Sequence, residues 1–199
     1  MGRASLLAVV RETDDGAIAF LRANGFDLLM RTCSGKVDPA AAEVVAWVAR
    51  QRPIELERPA ERDYVARAHE RAYRRVHARW APATERPLEE SLRLFCGEGW
   101  LPESAVLARD GDEVRGVGSL YAQPFRFAGD GLFLIADTLR SDDQGLRSLV
   151  AAQLEWSRAR QLRVSFEADE ANEELWRLIH ALPGQLDPEL LLFSSDVDS

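Results

Sequence analysis

Cysteine, histidine and long apolar runs are scarce in this 199-residue chain, and each scarcity removes a class of function. The two cysteines, Cys33 and Cys96, lie far apart and lack metal-ligand spacing, so they are expected as packed thiols in a reducing cytoplasm. The three histidines, His69, His77 and His180, form no metal set with them. His69 and His77 fall about two turns apart on one expected helix, too far for a shared metal. No serine-nucleophile elbow and no Walker phosphate loop is present. No apolar run approaches the roughly 20 residues that span a bilayer. The apolar stretch at 5–10 passes directly into Arg11-Glu12-Thr13-Asp14-Asp15 without a small-residue cleavage site, which reads as a buried strand and not a signal peptide.

The chain is acidic. Its net charge of −8 argues against non-specific nucleic-acid binding, which needs cations to displace phosphate counterions. Arg62, Arg67, Arg71, Arg74, Arg75 and Arg79 form one local basic segment, but interleaved acids and a spread around the helix make it a solvated face. A hydrophobic fraction of 46% with 29% charged residues is that of a globular protein, and the length suits one sizeable core with a small appendage.

Hydrophobic periodicity and turn residues set out the elements. A strand at 5–10, a helix from Ala17 to Ala23 stopped by Asn24-Gly25, and a strand from Phe26 to Met30 form an N-terminal arm. After Ser34-Gly35-Lys36 a helix runs from Pro39 to about Arg50, and Gln51-Arg52-Pro53 marks the main boundary, dividing the chain into 1–50 and 51–199. Beyond it come a strand at 54–57, helices at 62–80 and 88–95, and a hairpin, 104–108 and 113–121, turned by Asp110-Gly111. A buried strand at 131–136, a helix at 145–160, a strand at 162–167, a helix at 171–182 and a strand at 189–194 complete the order. A meander followed by a crossover helix implies an α/β (α+β) sheet with helices on its faces.

From residue 54 this order resembles the GNAT N-acetyltransferase superfamily. The strand–loop–helix at 132–160 matches the place where that family binds the pyrophosphate of acetyl-CoA on backbone N–H groups. The matching stretch is Asp142-Asp143-Gln144-Gly145-Leu146-Arg147. Gly145 is retained, but the family's first basic position is Asp142 and its last small position is Arg147. The same residues also read as an ordinary helix start with Ser141 or Asp142 as cap. The next helix, Asn172 to His180, keeps the family's asparagine, whereas the tyrosine that protonates the departing thiolate is Ile179. Gly16 to Phe26 resembles a second copy of that helix, with Leu21 at the tyrosine position. The chain thus resembles a tandem GNAT protein whose first copy retains only its C-terminal arm, and the fold expected is a GNAT-like mixed sheet with an extra strand–helix–strand arm. That arm is expected to be covered, either by the main sheet or by a partner chain such as a homodimer.

The resemblance implies acetyl transfer from acetyl-CoA to a small-molecule or protein amine, or alternatively a catalytically inactive GNAT-like binding or assembly domain. Its implied cofactor contacts are Thr138, Leu139, Gln144, Gly145, Leu146, Arg147, Ser148 and Asn172. Acyl transfer to an amine needs a base, oxyanion donors and an acid for the thiolate. Asp137, on a strand face with Phe133 and Ile135, is the first candidate base; Glu167 is the second, with Asp169 beside it. Backbone N–H groups at 137–139 are candidate oxyanion donors, and Tyr73 and Tyr121 candidate acids. Trp80, Trp100, Trp156 and Trp176 read as core or rim.

Overall fold

The computed structural model describes residues 5–51, 54–59, 61–78, 84–122 and 131–196. Trp80, Arg79, the Pro82 loop and the Arg52-Pro53 boundary lie outside the described residues. The elements are β1 (Ser5–Arg11), α1 (Asp15–Ala23), β2 (Asp27–Val37), α2 (Ala42–Ala49), β3 (Leu56–Glu57), α3 (Arg62–His77) and α4 (Leu88–Phe95). They continue with β4 (Val106–Asp110), β5 (Glu113–Ala122), β6 (Leu132–Thr138), α5 (Asp143–Arg158), β7 (Val164–Asp169), α6 (Glu173–Ala181), β8 (Gln185–Leu186) and β9 (Leu190–Asp196).

All strands join one mixed sheet in the order β1-β9-β2-β7-β6-β5-β4-β3, with β8 paired to β2. The N-terminal arm is therefore part of the main sheet, and β2 sits between the last strand and β7. The two strand–helix–strand units, β1-α1-β2 and β7-α6-β9, interleave about the antiparallel β2–β9 pair. Ser34-Gly35-Lys36, expected to lie outside a strand, continues β2, and its alternation buries Cys33, Gly35 and Val37. Glycine is required there. A Cβ on Gly35 would stand 2.5 Å from the Gln185 carbonyl oxygen and 2.8 Å from the Phe166 ring.

Local signals explain the helix ends. The Asp14 carboxylate accepts from Ala17 N–H at 3.0 Å to start α1, and Gly25, with φ +77°, carries the left-handed turn after it. Asn172 caps α6 by accepting from Leu175 N–H at 3.3 Å.

The sheet feeds two main cores. Val106 and Ala108 pack with α5, α6 and α2, while Leu107, the residue between them, packs with α3 and α4. A third cluster, Leu21, Leu191 and Phe193, holds α1 of the arm against β9. Leu6, Leu7 and Val9 on β1 and Phe20 on α1 are exposed. No helix among the described residues is long and apolar enough to cross a membrane.

Candidate acyl-transfer site

The site begins where two parallel strands part. β6 and β7 pair only from Leu132–Val164 to Leu134–Phe166, so the rest of β6 has no neighbour on that side. Leu139 N–H donates to the Arg115 carbonyl at 2.7 Å, which fixes the direction of the strand's backbone groups. By alternation, Asp137 and Leu139 turn their backbone toward β5, and Ala136 and Thr138 turn theirs into the gap. Of the expected oxyanion donors at 137–139, only Thr138 N–H faces the opening.

Below the gap is a cleft of about 360 Å³ between the sheet and helices α3 and α4. Leu94, Phe95 and Phe133 contribute apolar walls, and Asp137, Glu167 and Asp169 contribute carboxylates. The structure therefore brings both candidate bases to one cavity. Loss of water pushes the half-buried Asp137 carboxyl above the usual carboxylate range, against the opposing pull of His77, Asn172 and Arg75. Burial raises Asp169 as well, with Thr32 and His77 opposing, and raises Glu167 at the exposed rim, where Asp169 adds repulsion. Asn172 donates to Asp137 at 2.8 Å, and Thr32 Oγ1 donates to Asp169 at 2.7 Å.

His77 joins this cluster, a role that sequence spacing did not suggest. Its Nδ1 lies 2.9 Å from the Tyr73 carbonyl, which can only accept, so Nδ1 carries a proton. Its Nε2 faces Asp169 at 3.8 Å, and its ring stacks on Tyr73 with centroids 3.8 Å apart. Tyr73 thus borders the cleft. Tyr121 does not: its hydroxyl is buried and donates to the Phe95 carbonyl at 2.7 Å, and desolvation raises its pKa. Ile179 is core, and His180 is an exposed side chain on the Trp176 carbonyl.

The upper end of the gap is crossed by a network that joins three elements. Arg75 on α3 donates to the Thr138 carbonyl and hydroxyl, both at 2.9 Å, and to Glu174 on α6 at 3.0 Å. The Thr138 hydroxyl donates to the same Glu174 oxygen at 2.8 Å. Burial pushes the Glu174 carboxyl up, but hydrogen bonds from Ser141, Thr138 and Arg75 outweigh it and hold it below the usual carboxylate range. Beyond it a polar cavity of about 260 Å³ leads toward Ser141, Glu173 and Arg177.

The expected cofactor residues separate into two groups. Thr138, Gln144, Gly145 and Arg147 lie at or beside the gap and the start of α5. Leu146 is buried in the core with its N–H bonded to the Asp142 carbonyl at 3.0 Å, and Ser148 is buried within α5. Leu139 has its N–H committed to β5, and Asn172 is spent on Asp137 and on capping α6. Gly145 N–H donates to the Asp142 carboxylate at 2.8 Å, so Asp142, not Ser141, is the cap of α5. The Gly145 N–H at the start of α5 is therefore already taken by a carboxylate.

Elsewhere the polar residues are absorbed into structure. In the arginine-rich α3, Arg67 and Arg74 pair with Glu85 at 3.7 and 3.3 Å. His69 is buried and lowered to about 3 by desolvation, and burial pushes the Cys33 and Cys96 thiols up to about 12 and about 11. Among the described residues no group of three or more His, Cys, Asp or Glu side chains could hold a metal ion.

No protein-family model and no curated protein matches the sequence. Solved structures do match. A GCN5-related N-acetyltransferase from Sphaerobacter thermophilus superposes with a TM-score of 0.69 at 13% identity, covering 100% of this chain and 61% of that one. A GNAT-family acetyltransferase from Colwellia psychrerythraea gives 0.57 at 11% identity, over 96% of this chain and 65% of its own. A ribosomal-protein-alanine N-acetyltransferase from Brucella melitensis gives 0.50 at 16% identity and is matched over its entire length by 72% of this chain. The chain thus spans about three-fifths of the first of these structures, and it has the GNAT fold, a mixed sheet flanked by helices.

Proposed function

We propose that this chain is an N-acyltransferase that carries an acyl group from a coenzyme A thioester to a cationic amine. The observation that carries the reading is the parting of β6 from β7 above a cleft lined by the carboxylates of Asp137, Asp169 and, at its rim, Glu167, on a fold whose named neighbours are N-acetyltransferases. The carboxylates attract the ammonium form of the acceptor, and the apolar walls seat its carbon body. Asp137, raised by its surroundings, takes the ammonium proton, with Glu167 at the rim as the second base. Thr138 N–H, turned into the gap, is the donor to the developing oxyanion. Tyr73 is the tyrosine left on the cleft to return a proton to the thiolate. Gln144, Gly145 and Arg147 at the start of α5 would hold the diphosphate, and the bound thioester supplies the activated acyl group. The segment 1–50 fits a retained C-terminal arm of a first GNAT copy followed by a linker helix, since β1-α1-β2 repeats the order of β7-α6-β9 and α2 follows it.

A second reading, an amine-binding module without transfer, is favoured by Asp142 on the Gly145 N–H and by Ile179 in the core. Calorimetric titration with acetyl-CoA, repeated on Arg147→Glu, separates the two. Micromolar binding weakened by the substitution, followed by acylation in an amine screen, supports the transferase. Absence of binding up to millimolar acetyl-CoA sinks it.

A further inference from the structure

The start of α5 is charged unlike a seat for phosphate. Asp142 is its N-cap, and its side chain is only 14% exposed. One carboxylate oxygen takes the Gly145 N–H at 2.8 Å, and the other lies 3.9 Å from Arg115 Nη1. The space left by the missing side chain of Gly145 is filled by this carboxylate, since a Cβ there would fall 2.5 Å from Asp142 Oδ2. Three of the surrounding cations are committed in the same way. Arg140 faces Asp110 at 3.6 Å and Glu113 at 3.2 Å, Arg177 faces Asp143 at 3.3 Å, and Arg75 holds Glu174.

We infer that Asp142 is a built-in competitor for the diphosphate, a carboxylate seated on the donors that acyl-CoA needs, so that cofactor binds only when Asp142 turns away. The inference rests on the acyl-CoA reading above and adds an autoinhibitory contact to it. Two anions cannot share one N–H, and an unmoved Asp142 would repel the diphosphate at close range. Turning it outward frees Gly145 N–H and leaves Arg115 Nη1 facing the vacated space. Arg115 is also paired with Asp110, so it stays anchored when Asp142 leaves.

Asp142→Ser tests this, because serine keeps an N-cap oxygen and removes the charge. Titration of the full chain with coenzyme A, with inorganic pyrophosphate as a second probe, is expected to show binding roughly tenfold tighter or more in the variant. Asp142→Asn, also a competent cap, is expected to behave alike, and thermal unfolding verifies that both variants fold. Equal or weaker affinity in folded variants, while the native chain binds coenzyme A, overturns the competitor and leaves the acyl-CoA reading standing. Failure of the native chain and both variants to bind at millimolar ligand overturns both together.

Discussion

Replacing Arg86 by alanine is expected to destabilise the fold by about 3 kcal/mol, the lower end of the range for breaking a buried ion pair. Glu70 on α3 is 1% exposed. Its carboxylate receives Arg86 Nη1 at 2.9 Å and the Arg86 backbone N–H at 3.3 Å. Alanine keeps the backbone donor and removes the guanidinium, leaving a negative charge enclosed without a cation. The arginine side chain is itself 25% exposed, so water entering the vacated space offsets part of the cost. Loss of the guanidinium from above the Tyr73 ring, 5.0 Å from its centroid, adds roughly 0.5–1 kcal/mol. An exposed pair would cost only about 0–1 kcal/mol, so the two cases are distinguishable. Urea unfolding at neutral pH measures the loss, and the melting temperature should fall by roughly 6–12 °C for a chain of this size. Glu70→Gln in the Arg86→Ala background removes the stranded charge and should recover more than half of the loss. A single-variant loss below about 1 kcal/mol, or a double variant no better than the single, would refute the argument that an enclosed charge is what matters.

Asp137→Asn should lower amine acylation by roughly 10²–10⁴ while leaving stability at neutral pH unchanged or raised, because it removes a desolvated charge; steady-state rates and urea midpoints read the two effects. The acylation rate should fall with acidification at a pH above the ordinary carboxylate range, as raised Asp137 and Glu167 take up protons. Stability has a different sign. Carboxyls held above their unfolded values, at Asp137, Glu167 and Asp169, contribute most below the ordinary range, and their contribution is lost as pH rises through the raised values. Glu174 runs oppositely, contributing above the ordinary range and losing its share as pH falls through its lowered value; urea midpoints of Glu174→Gln should lack that acid loss. Gly35→Ala should cost about 1–3 kcal/mol or more, since the methyl meets the Gln185 carbonyl and the Phe166 ring, and a near-neutral urea midpoint would contradict the close approach.

Local signals were the legible ones. Asp-Gly at 110–111, Asn24-Gly25 and the alternation of 162–167 each dictate a conformation within a few residues; the hairpin and the first helix stand where those signals place them, and β7 overlaps its expected span but runs two residues later, Val164–Asp169. Asp137 and Glu167 could be read as neighbours of one cleft because strand alternation fixes which face each takes. The arm's place inside the main sheet was not legible. β2 pairs with β7 and β9, more than a hundred residues away, and no turn residue encodes such a partner. Ser34-Gly35-Lys36 reads only as the lead-in to a helix, since nothing local shows that its glycine serves a close approach between strands. Arg75 looked like one more solvated arginine, since its partners Thr138 and Glu174 lie 63 and 99 residues along the chain. His77 was passed over for a similar reason: its meaning comes from Asp169, which only the fold brings near.

The interleaving of the two strand–helix–strand units has a consequence for how the chain acquires its shape. β9 must enter between β1 and β2, pairing Ser5 with Asp196 and Asp27 with Ser194. During synthesis β1 and β2 therefore emerge well before β9 and wait, each with an unfilled side, until β9 follows. Nearly every pairing in that half of the sheet closes a loop spanning most of the chain, a pattern that slows folding and lengthens the time in which open edges can pair wrongly. β1 reaches the sheet only through β9, so a chain lacking β9 would keep the pairing of Thr32 with Asp169 between β2 and β7 but leave β1 detached and β2 an open edge.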